Sequence, residues 1–230
     1  MATGDNYFPF VDQRLPYGGW SRAIVETTFA QMDQTIETTI LPWPRVTFSI
    51  KQGDYDAGYA YIQTPERHAD FLYSEPLLHV HIKAVVHQYS PHYHPDDLRK
   101  QIVCTPYGFA LTPTLEQWAH QKNNRVQSAN QTTGCLLHVA KKRSDVALVN
   151  HYFQLHTFMR QHQLANQLRL IEPAIVSVTV HLIAPRHLPG SQRLITRFNQ
   201  ALASLRESGQ LAALNNYYEQ YILPYYSPNQ

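Results

Sequence analysis

The chain has no apolar run approaching the roughly 18 residues that a membrane-spanning helix needs. It has little charge, 16% of its residues, and that charge nearly cancels to a formal +2. Such a balance leaves no electrostatic footprint for nucleic acid. The one basic cluster, Lys141-Lys142-Arg143, reads as the end of a helix, where cations complement the dipole. There is no Gly-x-Ser-x-Gly elbow, no glycine-rich dinucleotide loop and no phosphate-binding loop, so those nucleophile and nucleotide chemistries have no sequence support. The 13 histidines show no zinc spacing and no His-Glu-x-x-His pair, and read as solvated side chains rather than metal ligands. Only two cysteines occur, Cys104 and Cys135. One disulfide or two buried thiols are both open. The apolar stretches around them favour two thiols acting as small hydrophobes, because spacing in sequence cannot establish pairing geometry.

What the chain does have is length and pattern. Its 230 residues, 43% of them hydrophobic, suffice for one large core or two lobes of about 100 residues each. The rest is organised around residues 53–76. Gly53 closes an amphipathic stretch as a left-handed helix cap would. Ala57 to Ile62 reads as a short strand, and Thr64-Pro65-Glu66-Arg67 as a helix start, with Thr64 the N-cap and Pro65 the first helical residue. A strand end, free backbone N–H groups and a guanidinium then meet at one point. Together they make a receptor for a carboxylate.

The order Gly-x-x-Asp, Thr-Pro-Glu-Arg and Phe71-x-Tyr73-Ser74-Glu75-Pro76 resembles the extracellular solute-binding proteins of family 3, which serve polar amino acid ABC importers. The likeness reaches both ends of the chain. Tyr7-Phe8-Pro9-Phe10 is similar to the family's loop after the first strand, and Phe198-Asn199-Gln200-Ala201-Leu202 to its closing helix. The resemblance implies an α/β fold of the two-lobed, type II periplasmic-binding kind, with a mostly parallel sheet in each lobe and a hinge of two crossover strands. It also implies export, with a removed leader ahead of Met1, a membrane permease as partner, a monomer, and no cofactor. On the residues that match, Arg67 grips the ligand's carboxylate and Tyr7 covers the ligand.

Along the chain, Ser21 is the expected cap of a first helix with Ile24, Val25, Thr28, Phe29 and Met32 on one face. Thr35 to Leu41 reads as a strand, and a second helix ends at Gln52 with Val46, Phe48 and Ile50 as its apolar side. Residues 79–84 and 176–182 alternate polar and apolar at period two, and these are the expected crossovers. The expected organisation is a first lobe of residues 1–84 and 181–230 with a second lobe, 85–180, inserted. Inside the insert, strands at 101–105, 126–129 and 146–149 alternate with helices at 114–120, 133–140 and 152–162. Such alternation argues a mostly parallel sheet whose ligands bind beyond the strands' carboxyl ends. The last helices begin at Pro189-Gly190-Ser191, with a break at Gly209, and the tail from Pro224 is expected to fray.

Three positions depart from the family pattern. Ile62 stands where a hydroxyl commonly donates to the carboxylate, leaving the backbone alone. At the second-lobe turn, Gly108 is followed by Phe109 and Ala110 rather than hydroxyl residues, again leaving backbone N–H donors. Asn150 replaces the aspartate that meets an α-ammonium, and an amide lacks the full charge that makes such a contact strong. Thr64, Tyr59, Tyr61 and Trp20 complete the candidate ligand-binding set, since aromatic walls suit a ring or an aliphatic body. The expected function is capture of a small polar solute, an amino acid or related carboxylate, by hinge closure for an ABC importer. Two other readings stay open. One is a dehydratase-type enzyme on the same fold, for which Glu66 is the nearest acid; the other is a ligand-sensing module of a signalling system.

Overall fold

The computed structural model describes residues 1–109 and 111–224, and its chain divides into two compact units. The expectations for Ala110 and for residues 225–230 of the tail lie outside the described residues. One unit holds Met1–His79 together with residues 179–224, and the other is Val80–Val178. Two long strands, β5 (Leu78–His87) and β9 (Leu168–Pro185), carry the chain from one unit to the other.

In the first unit, β1 (Ala2–Thr3) lies between β2 (Thr39–Ile40) and β3 (Gly58–Ile62), parallel to both. β3 pairs antiparallel with β9, which also pairs antiparallel with β4 (Phe71–Tyr73). The helices are α1 (Trp20–Ala30), α2 (Trp43–Gln52), α3 (Pro65–Asp70), α7 (Ser191–Glu207) and α8 (Gln210–Tyr217). Gly53 ends α2 in the left-handed conformation, φ 88°, and Gly209 separates α7 from α8 at φ 77°. Ala2, Val46, Ile50, Tyr61, Phe71 and Ile183 form one of this unit's cores.

Some elements differ from the sequence reading. β2 has two residues rather than seven. Ser21 lies inside α1, whose N-cap is Gly19. Val46 and Ile50 are buried but Phe48 is 61% exposed. Residues two apart lie on opposite sides of a helix, so Ser49 and not Phe48 completes the buried stripe.

In the second unit the strand order is β5, then β8 (Val146–Asn150), β6 (Ile102–Pro106) and β7 (Arg125–Ala129). β6 runs parallel to both β7 and β8, while β5 is antiparallel to β8. The helices are α4 (Pro113–Gln121), α5 (Thr132–Ala140) and α6 (Leu155–Gln161). α6 starts three residues later than expected, because residues 151–154 form the turn that leaves β8. The expectation of two free thiols is corrected. Cys104 on β6 and Cys135 on α5 form a disulfide, their Cα atoms 5.3 Å apart. Both are fully buried in a core with Val85, Val139, Ala147 and Phe158. An apolar setting therefore does not separate a thiol from a buried disulfide.

Candidate functional site

α3 is only six residues long, too short to persist unaided. Its two ends are held from outside. At the start, the Thr64 side chain accepts from Arg67 N–H at 3.4 Å and Pro65 takes the first helical position. At the end, Arg186 Nε and Nη2 donate to the carbonyl of His68 (3.2 and 2.9 Å), Nη2 also to that of Phe71 (3.1 Å), and Arg186 N–H to that of Asp70 (2.8 Å). A cation on the last carbonyls also complements the helix dipole.

Arg67 rides on this fixed turn. Its Nη1 donates to the carbonyl of Ile62 at 3.1 Å, and its guanidinium carbon lies 5.1 Å from the centre of the Tyr61 ring. The nearby acids are otherwise engaged. Asp70 pairs with Lys51 at 2.8 Å. Glu66 is exposed and held below its usual range chiefly by its own backbone N–H, then by Thr64, with Arg67 a smaller cause. Among the described residues Arg67 forms no ion pair, so its fork is not consumed by an internal carboxylate.

Aromatic rings wall the same place. Tyr7 lies 4.8 Å from Phe10 and 6.1 Å from Trp43, which meets Tyr61 edge-on at 5.7 Å. Trp43 donates to the carbonyl of Asp5 at 3.1 Å, and Tyr61 shares a hydrogen bond with Thr47 at 3.0 Å. Gly4 permits this packing, since a Cβ there would sit 2.1 Å from the Trp43 ring. The Tyr7 hydroxyl is buried without a hydrogen-bond partner among the described residues. Burial pushes its pKa up, and the Arg67 charge opposes that only in part. An unpaired buried hydroxyl costs about 1–3 kcal/mol.

Other expected residues sit elsewhere. Trp20 is 1% exposed, stacks on Tyr218 at 5.4 Å and donates to Asn215 at 2.9 Å, as a packing side chain between helices. Tyr59 is fully buried, and burial pushes its hydroxyl up to about 12. Both tyrosines of β3 lie in a strand buried along its whole length, and the register shifts between them at Ala60, which takes a left-handed φ of 65°. In the second unit, Gly108 turns the chain after β6 at φ 81°. Phe109 spends its N–H on Pro106 at 3.0 Å, so that donor is closed to a ligand. Asn150 ends β8, with its Oδ1 accepting from Tyr152 N–H at 3.0 Å.

Sequence reasoning missed Trp43 and two histidines. His151 stands against His81, ring centres 4.8 Å apart. His181 is buried, donates from Nδ1 to the carbonyl of Ser74 and accepts at Nε2 from Thr179, both at 2.7 Å. It lines a cavity of about 490 Å³ in the first unit with His68, Tyr73, Ser74 and Arg186. Alternation over residues 176–182 marked His181 as polar, but nothing in it marked the side chain as buried.

No curated protein matches the chain. Among solved structures, it is similar to the substrate-binding protein of an amino acid ABC transporter, with a TM-score of 0.75 at 17% identity over 96% of this chain and 99% of that one. A histidine kinase sensor domain with similarity to periplasmic binding proteins scores 0.77 at 20% identity, covering 96% of each. An arginine transport periplasmic binding protein from Legionella pneumophila also scores 0.77, at 18% identity over 95% of this chain and 98% of that one. These likenesses establish a shared mixed α/β, periplasmic-binding-protein-like fold. The sequence profile of the bacterial extracellular solute-binding proteins, family 3, matches residues 1–221, and the chain belongs to that family.

Proposed function

We propose that the chain captures a small carboxylate-bearing solute, an amino acid or related organic acid, and delivers it to the permease of an ABC importer. The observation that carries this reading is an Arg67 fork and a buried Tyr7 hydroxyl that have, among the described residues, no counter-ion and no hydrogen-bond partner respectively. A carboxylate would satisfy both at once, in charge-assisted geometry. Capture would proceed by hinge closure, with β5 and β9 as the hinge and the ligand stabilising the closed state. The buried disulfide supports a periplasmic location, since such bonds persist in oxidising compartments. Glu66, the acid nearest Arg67 in sequence, is exposed and held low, which is poor preparation for general acid catalysis and favours binding over a dehydratase. The likeness to a histidine kinase sensor domain supports the second reading, a sensing module on the same fold.

The test is a thermal-shift screen of amino acids and small carboxylates, in which a ligand at 100 times its Kd adds about 2.7 kcal/mol. Hits should compact the protein in small-angle scattering. A saturating ligand that leaves the scattering profile unchanged would contradict closure.

A further inference from the structure

β4 follows α3 directly and ends in Tyr73, which pairs with Ile183 of β9. The Tyr73 ring packs on the first-unit core that holds Tyr61, the same core against which Trp43 packs. It lies 4.8 Å from the ring of His68, the residue after Arg67. It also meets the buried His181 ring edge-on at 5.7 Å. A strand pairing and two ring contacts thus fix the side chain before any ligand arrives.

Three tyrosine hydroxyls of this unit lie within the influence of the Arg67 charge, those of Tyr7, Tyr61 and Tyr73. The Tyr61 hydroxyl shares a hydrogen bond with Thr47 at 3.0 Å. Those of Tyr7 and Tyr73 are buried and have no hydrogen-bond partner among the described residues. Burial pushes the Tyr73 hydroxyl up to about 12, opposed first by the Arg67 charge and then by the backbone of Thr64. It therefore keeps its proton at pH 7 and is a neutral donor near Arg67 and the start of α3.

We infer that Tyr73 is a further donor to the ligand's carboxylate, acting with the Arg67 fork and the Tyr7 hydroxyl, all within the first unit. The inference rests on the capture reading above. A carboxylate has about four lone-pair positions on its two oxygens, enough for a guanidinium fork and two hydroxyls. A cation offers the Tyr73 proton no acceptor, whereas a carboxylate brought to Arg67 supplies one and lifts the cost of burying that hydroxyl.

Calorimetry on Tyr73→Phe tests it, with L-glutamate, L-leucine, L-arginine and glutarate as probes. The expected result is an affinity about three- to tenfold weaker for whichever probes the wild type binds. The unfolding midpoint should equal or exceed that of the wild type, since no internal hydrogen bond is removed. Tyr59→Phe removes a buried hydroxyl that feels Arg22 instead, and should leave affinity unchanged. A loss under threefold in Tyr73→Phe, or one matched in Tyr59→Phe, overturns the inference and leaves capture standing. A lowered midpoint would mark a packing role for the hydroxyl and overturn it equally. A wild type that binds none of the four probes overturns the capture reading and the inference with it.

Discussion

Lys51 holds Asp70 in an ion pair of 2.8 Å and so withdraws from Arg67 the carboxylate three residues along its own helix. The pair is half exposed, with side-chain exposures of 51% and 32%, so its direct contribution to stability is under about 1 kcal/mol. Its consequence for binding is larger. Lys51→Ala should leave the unfolding midpoint nearly unchanged while weakening carboxylate capture, because the freed Asp70 then competes for Arg67. Unchanged affinity in calorimetry would show that Asp70 does not reach it.

Arg186 carries a related prediction. It holds three successive regions of the α3 terminus, through the carbonyls of His68, Asp70 and Phe71. Arg186→Ala should let the short helix fray and weaken carboxylate binding about tenfold, or roughly 1.4 kcal/mol. Arg186→Lys should recover only part of this, since a point charge cannot span both carbonyls. Equal affinities in all three proteins would remove Arg186 from the positioning of Arg67.

Much of this arrangement is legible in sequence because it is local. Thr64-Pro65 starts a helix, Gly53 ends one, and residues 79–84 alternate, each by rules that act within a few residues. The misreadings arise where distant segments decide. Cys104 and Cys135 sit on a strand and a helix, and no spacing rule reports that their Cα atoms come within 5.3 Å. Trp43 enters the site because Gly4, 39 residues earlier, leaves room for its ring. Alternation would turn Tyr59 and Tyr61 alike toward one face, but a register slip at Ala60 lies between them.

The disulfide closes a span of 31 residues. On chain-entropy grounds, replacing both cysteines by alanine should cost about 3–4 kcal/mol. Urea unfolding of the double variant measures this directly. A loss under about 1 kcal/mol would mean that the native core, rather than the cross-link, holds β6 to α5.

Stability should also fall in mild acid. His151 is held neutral down to about pH 4 against an ordinary value of 6.5, and burial lowers His181 in the same direction. Between those limits the unfolded chain binds protons that the folded chain refuses, so stability is full above pH 6.5 and declines as pH drops toward 4. His151→Gln should flatten part of that decline. Urea midpoints at pH 7 and pH 5 check it, and a wild-type midpoint that rises on acidification would contradict both assignments.

The capture of a carboxylate by Arg67 is tested most directly by calorimetry on Arg67→Ala with whichever carboxylate gives the largest thermal shift in the wild type. Removing a charge-assisted fork should weaken binding by about 1.5–3 kcal/mol, one to two orders of magnitude in Kd, with the unfolding transition retained. An affinity within twofold of the wild type would contradict the assignment.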